Sequence, residues 1–315
     1  ANTSSFQNKK TVQLFDRYAT YNGSDPYQTP ATLNMIPHLE FGQGAFFPQG
    51  GMESISRALY QLALKVGVNF NFEAPVTKIV VHEGIAKGIE TPMGFQRVGK
   101  VVCNMDMTAA YKKLLKDQKQ PKKLLRQEKS SSALIFYWGI EKQFDELGLH
   151  NIFFSEDYKK EFMHIFEENC LPDDPTVYVN ISSIHNPNDA PEGCQNWFTM
   201  INVPSDTDLD WDELIPKARK IILKKLSKDL NTDVESLIKV EDVLDPRGIE
   251  RKTSSVQGAL YGNSSNNKFA AFFRHSNESK SLKNLYFCGG SVHPGGGIPL
   301  CLSSAKIVDD LMHPY

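Results

Sequence analysis

Residues 285–306 read LYFCGGSVHPGGGIPLCLSSAK, and the architecture turns on this stretch. The apolar run 285–288 shows no alternation, which predicts a strand covered on both faces and paired with parallel neighbours. Gly289 and Gly290 end that strand, with Ser291 following. Gly295, Gly296 and Gly297 let a backbone approach a flat ligand closely, and Pro299 is placed to open a helix running to about Met312. A helix N-terminus carries partial positive charge, so strand, loop and helix together predict a site for an anion or for a ring edge that gains negative charge. A phosphate-binding P-loop is the competing reading. It fails because no Gly-x4-Gly-Lys-Ser/Thr is present and Lys306 lies too far along the helix. From the glycines alone, a tight turn of purely structural purpose stays open.

Working outward, the sequence alternates between helical and β patterns. Ile55, Leu59, Leu62, Ala63 and Val66 recur at helical spacing and Gly67 closes the run, which predicts a helix after Pro48-Gln49-Gly50-Gly51. Two alternating runs then meet at Glu83-Gly84 as a hairpin, and a third apolar run, 98–103, completes an expected three-stranded meander. Helix, strand and meander in this order suit an α/β domain. The middle block is α+β: the runs SALIFYWGI, TVYVNISSIHN and NWFTMINVP read as strands, and DWDELIPKARKIILKKLSKDL is an amphipathic helix.

Composition limits the function classes. A chain of 315 residues is long enough for two domains or one interrupted domain, and a net charge of -2 gives no reason to expect nucleic acid. Five scattered cysteines without a Cys-x-x-Cys pair suit a reducing compartment, so a cytoplasmic location is expected. No apolar run approaches a membrane span. Residues 111–129 nevertheless carry eight basic residues with leucines paired at 114–115 and 124–125. That segment reads either as an amphipathic stretch on anionic lipid or as a solvated surface helix broken at Pro121. His38, His150, His164 and His185 lack metal-ligand spacing, and no nucleophile elbow is present, so neither a metal nor acyl-transfer chemistry is expected. Aromatic clusters at 136–138, 153–154 and 272–273 cannot by themselves be read as a tunnel.

The string at 285–306 resembles the C-terminal signature of the phytoene-desaturase-type, FAD-dependent carotenoid desaturases. FDRYATYNGSDPYQTPATLNMIPHLE, PQGGMESISRAL, NFEAPVTKIV, VCNMD, APEG and ALYGNSS follow in the order that family shows, so the likeness covers essentially the whole chain. GGSVHP and QGALYGNSSN resemble the branch acting on hydroxylated or methoxylated carotenoids at the 3,4 position. The resemblance implies an FAD/NAD(P)-binding domain of the glutathione-reductase-like, amine-oxidase-like kind, interrupted by a substrate domain. On that basis 48–108 and 256–315 are expected to form the FAD-binding domain, and 1–47 with 109–255 a substrate domain facing a membrane. Carried over by residue, it places Gly289, Gly290 and Ser291 near the ribityl chain. Gly296, Gly297, Ile298 and Pro299 then fall against the isoalloxazine, and the Val76 backbone against the adenine. Related amine oxidases carry a carboxylate where Gly290 stands here. The family also opens with a strand and a G-x-G-x-x-G motif for the pyrophosphate, which these residues lack, so the chain resembles a member without roughly its first third.

The implied reaction removes two hydrogens from adjacent carbons of a long polyene, one as hydride to flavin N5 and one as a proton. Because positive charge delocalises along the polyene, orientation and exclusion of water matter more than a strong base. His293 is the one candidate for a proton acceptor, set against a structural hydrogen bond within the loop. An isomerase or oxygenase of the same family, or a fragment that only binds carotenoid or membrane, are the alternatives.

Overall fold

The computed structural model describes residues 1–266 and 274–313; the aromatic pair Phe272-Phe273 lies outside them. The chain forms two compact units, one from residues 1–33, 71–132 and 246–315 and the other from 34–70 and 133–245. In chain order the strands are β1 (Lys78–His82), β2 (Ile85–Thr91), β3 (Gly94–Arg97), β4 (Val101–Cys103), β5 (Ser132–Ile140), β6 (His150–Phe153), β7 (Val177–Asn180), β8 (Gln195–Val203), β9 (Ile238–Leu244) and β10 (Leu285–Phe287).

These boundaries differ from the expected ones. The stretch 48–108 is divided at residue 70, so the helix Glu53–Lys65 belongs to the second unit, while 1–33 and 109–132 join the unit that carries the glycine loop. Hydrogen bonds between distant residues hold 1–33 and 109–132 in the first unit. The Asp25 N–H donates to Asn266 Oδ1 at 2.7 Å, the Ser265 N–H to Ser24 Oγ at 3.0 Å, and the Ser131 N–H to the Gly23 carbonyl at 2.8 Å. No periodicity in the sequence announces such pairs.

In the first unit, β1, β2 and β3 form an antiparallel meander, with positive φ at Glu83 (50°) and Gly84 (73°) in the two-residue turn, as hairpin twist favours. Its third strand is β3, not the apolar run 98–103. β3 is exposed at every position, and a strand with no buried face carries no apolar alternation to read. The run's end, β4, instead pairs in parallel with β10, Leu285 opposite Val101 and Phe287 opposite Cys103. All three β10 residues are buried, and the strand's other edge bonds to irregular backbone: Phe287 N–H to Asn277 O at 2.7 Å and Ser279 N–H to Leu285 O at 3.0 Å. Ile79, Val101, Leu285, Phe287 and Val292 share one core with Tyr111, Leu114 and Leu115.

The last two residues decide the character of the basic segment. Leu114 and Leu115 are buried and Leu124 and Leu125 pack on the same core, whereas Lys112, Lys113, Lys122 and Lys123 are exposed. The paired leucines are therefore committed to the protein interior and are not free to enter lipid. Among the described residues no helix is long and apolar enough to cross a membrane.

The second unit is a five-stranded sheet in the order β6-β7-β8-β5-β9. Phe136 and Trp138 of β5, Val177 and Val179 of β7, and Trp197 and Ile201 of β8 alternate onto one face. There they form a core with Ala218, Ile222, Leu223 and Leu226 of the helix Trp211–Asp229. Asp210 caps that helix by accepting from the Glu213 N–H at 3.2 Å, and Asp212 and Glu213 suit its positive end.

Candidate functional site

The glycine loop begins where β10 leaves the core. The Gly289 N–H donates to Ser304 Oγ at 3.1 Å, and Asn277 Nδ2 stands 3.1 Å from Phe287 O, 2.8 Å from His293 O and 2.8 Å from Ser304 Oγ. One buried amide thus ties the strand, the loop and the helix Ile298–Met312 together. Ser291 does not point into open space; its Oγ accepts from the Met107 N–H at 2.9 Å. Gly289, at φ 107°, is a steric requirement, since a Cβ there would lie 2.5 Å from Asn104 Oδ1.

At the far end of the loop, Gly297 caps the helix without a side chain and has φ 99°. The N–H groups of Gly297, Ile298 and Leu300 take no partner among the described residues, Pro299 has none to offer, and all four positions are exposed. A Cβ at Gly297 would meet nothing within 4 Å, but one at Gly296 would fall 2.5 Å from Tyr261 Cδ1. The need for glycine at 296 therefore comes from the tyrosine beneath the loop.

A cation the sequence did not flag supports this loop. Arg274 is buried, its Nη1 donating to Tyr261 O at 3.1 Å and Gly290 O at 3.3 Å and its Nη2 to Asn263 O at 3.3 Å. No carboxylate pairs with it among the described residues, and burial alone pushes its pKa below the ordinary arginine value. A buried guanidinium balanced only by carbonyl dipoles leaves net positive charge under the loop. Next to it, His275 Nδ1 donates to Ser276 O at 2.6 Å and Nε2 accepts from Tyr111 OH at 3.0 Å; burial lowers its pKa, so the ring is neutral.

The two remaining candidates, His293 and Val76, are exposed. The His293 side chain is exposed and makes no hydrogen bond among the described residues, so the structural bond assigned to its imidazole is made by its backbone instead: N–H to His275 O at 2.9 Å and O to Asn277. Val76 lies in irregular chain before β1 and is 37% exposed; only the neighbouring strand, through Ile79, reaches the core under the loop.

The described residues of the first unit fit a flavin. Unpaired N–H groups at an exposed helix start, an open surface at Gly297 and an uncompensated guanidinium match the edge of a flat ring that becomes anionic on reduction.

The second unit holds its own cavity, about 1270 Å³, on the sheet face opposite the core. Cross-strand pairing sets His150 opposite Asn180, Asn180 opposite Phe198, and Tyr137 opposite Asp242. The Tyr137 and Phe198 rings meet edge to face at 5.6 Å and those of Tyr178 and Phe198 at 6.3 Å, and Phe46 and Phe47 also line the space. Among the described residues no lysine or arginine lines this space.

The whole stretch 4–308 matches the family model described as flavin containing amine oxidoreductase, and the chain belongs to that family. It is 58% identical over 307 residues to a 1-hydroxycarotenoid 3,4-desaturase of Flavobacterium sp., covering 98% of this chain and 63% of the relative. A 4,4'-diapolycopene oxygenase of Methylomonas sp is 32% identical over 308 residues, with 96% and 61% covered. The chain thus spans about three-fifths of the length of these curated relatives. An oxidoreductase from Methanosarcina mazei shares the fold at TM-score 0.61 and 13% identity, over 96% of this chain and 66% of that one.

Proposed function

We propose that this flavin-containing amine oxidoreductase family member serves FAD-dependent desaturation of a carotenoid, the substrate being a polyene that carries a hydroxyl near the bond oxidised. The observation that carries it is the glycine loop, with free N–H groups at the helix start and the buried Arg274 behind Gly290. The 58% identity to a 1-hydroxycarotenoid 3,4-desaturase supports the substrate class. When bound, the flavin supplies the hydride acceptor. This chain's residues supply the rest: the N–H groups of Gly297, Ile298 and Leu300 and the Arg274 charge stabilise negative charge at a ring edge, and Tyr261 under Gly296 fixes the loop's height. His293 is exposed and its side chain makes no hydrogen bond among the described residues that would hold it as a base, so the proton would leave to solvent. The exposed lysines at 112, 113, 122 and 123 favour contact with an anionic membrane surface, on its cytoplasmic side, by charge alone.

Expression in a host that accumulates the hydroxylated polyene tests the reading. The expected product is lighter by two hydrogens and forms with oxygen excluded, given an electron acceptor. A product that gains oxygen would support the oxygenase reading that the Methylomonas relative raises, and one of unchanged mass an isomerase.

A further inference from the structure

None of the residues that line the cavity of the second unit belongs to the glycine loop, and its lining specifies a ligand. One wall, with Tyr137, Tyr178 and Phe198, is aromatic; the adjoining stretch of the same cross-strand row, His150 and Asn180, is polar. The hydrogen bonds fix what those two residues offer. Asn180 Nδ2 donates to Leu149 O at 3.0 Å, so its amide is oriented, and the same NH₂ stands 3.3 Å from His150 Nδ1. An NH₂ held toward Nδ1 by its bond to Leu149 O assigns a lone pair to that nitrogen, which can then also accept from Tyr178 OH at 2.8 Å. The imidazole is therefore the neutral Nε2–H tautomer, in keeping with burial lowering its pKa. That leaves one N–H donor, His150 Nε2, and one acceptor, Asn180 Oδ1, without a hydrogen-bond partner among the described residues, both from residues that line the cavity.

A donor and an acceptor on two residues that face each other across the β6–β7 pair suit an alcohol, which takes one bond and gives the other. The rest of the lining disfavours anionic competitors. Among the described residues no lysine or arginine on the lining supplies a fixed cation for a phosphate or carboxylate, the Asp242 carboxylate on the lining disfavours an anion, and the nearby Asp189 carboxylate is already engaged by Ser182 and Asn186. Its volume exceeds the roughly 300–1,000 Å³ of pockets that enclose compact ligands, which suits one end of a long molecule. Flat aromatic walls match a conjugated chain.

We propose that this cavity binds the hydroxyl-bearing end of the polyene and that His150 and Asn180 are its specificity-determining residues. The proposal rests on the carotenoid reading above and adds the site to it. Tyr178 is a positioning residue, holding the imidazole through Nδ1.

The test uses the purified 315-residue chain in detergent micelles, titrated with an acyclic hydroxylated polyene and with its hydrocarbon parent. The readout is quenching of tryptophan emission, since Trp138 and Trp197 belong to the strands that form the cavity wall, with their rings buried on the other face of the sheet. The hydroxylated polyene should bind about tenfold more tightly than the hydrocarbon, as one net donor–acceptor pair warrants. In a His150→Leu, Asn180→Leu double variant that preference should vanish while hydrocarbon binding is kept. Tyr178→Phe, which removes only a hydroxyl, should give an intermediate preference and serves if the double variant misfolds by circular dichroism. Equal binding of the two polyenes to the unaltered chain, or a preference that survives in the variants, overturns the assignment. If neither polyene quenches at all, the carotenoid reading itself falls with it.

Discussion

Arg274 Nη1 donates to the carbonyl of Gly290 at 3.3 Å, so a buried guanidinium is bonded directly to the loop that begins the helix Ile298–Met312. Arg274→Met should keep the fold, because burying a charge without a carboxylate is itself costly and the apolar variant removes that cost along with the bonds. Flavin affinity should fall tenfold or more, read by flavin fluorescence on titration with FAD. Arg274→Lys keeps the charge but not the fork of donors, and should recover only part of it. Unchanged affinity in Arg274→Met would remove the guanidinium from the site.

The two adjacent glycines separate sterics from backbone strain. Gly296→Ala places a Cβ 2.5 Å from the Tyr261 ring and should cost about 1–3 kcal/mol by overpacking, seen as a lowered denaturation midpoint. Tyr261→Leu in the same chain should relieve that loss. Gly297→Ala meets no atom within 4 Å but must hold φ near 99°, a strain of about 1–3 kcal/mol that no partner substitution should relieve.

His275 should make stability depend on pH. Burial lowers its folded pKa below the unfolded value near 6.5, so the unfolded chain takes up the proton first as pH falls. Its contribution is therefore complete above the unfolded pKa and declines as pH drops through about 6.5 toward the folded value. Urea midpoints measured between about pH 7.5 and 5.5 should fall in the unaltered chain and fall less steeply in His275→Gln. Equal slopes would mean that the buried imidazole does not control this range.

The basic segment can be divided into what serves the fold and what serves a surface. Leu115 is 1% exposed, and Leu115→Ala should cost about 2–5 kcal/mol of stability while leaving vesicle binding of the folded fraction unchanged. Neutralising Lys112, Lys113, Lys122 and Lys123 should do the opposite, weakening flotation with anionic liposomes by about 1 kcal/mol per charge with little effect on stability.

Residues 285–306 were legible as strand, glycine loop and helix because every cue is local: an unbroken apolar run, glycines where φ turns positive, and a proline at the helix start. The Glu83-Gly84 hairpin and the helix Trp211–Asp229 were legible for the same reason. Beyond local range the reading failed. β3 has no buried face and so no pattern. The charge behind the loop belongs to Arg274, whose partners are backbone carbonyls that any residue could have supplied. Tyr261 dictates glycine at 296 from another part of the chain, and His150 meets Asn180 and Phe198 only because antiparallel register aligns three separate strands. Local propensity depends on neighbours in the chain, which a sequence displays in order. The composition of a site depends on register and on side chains meeting across long intervals, and those arise only once the cores of the two units have packed.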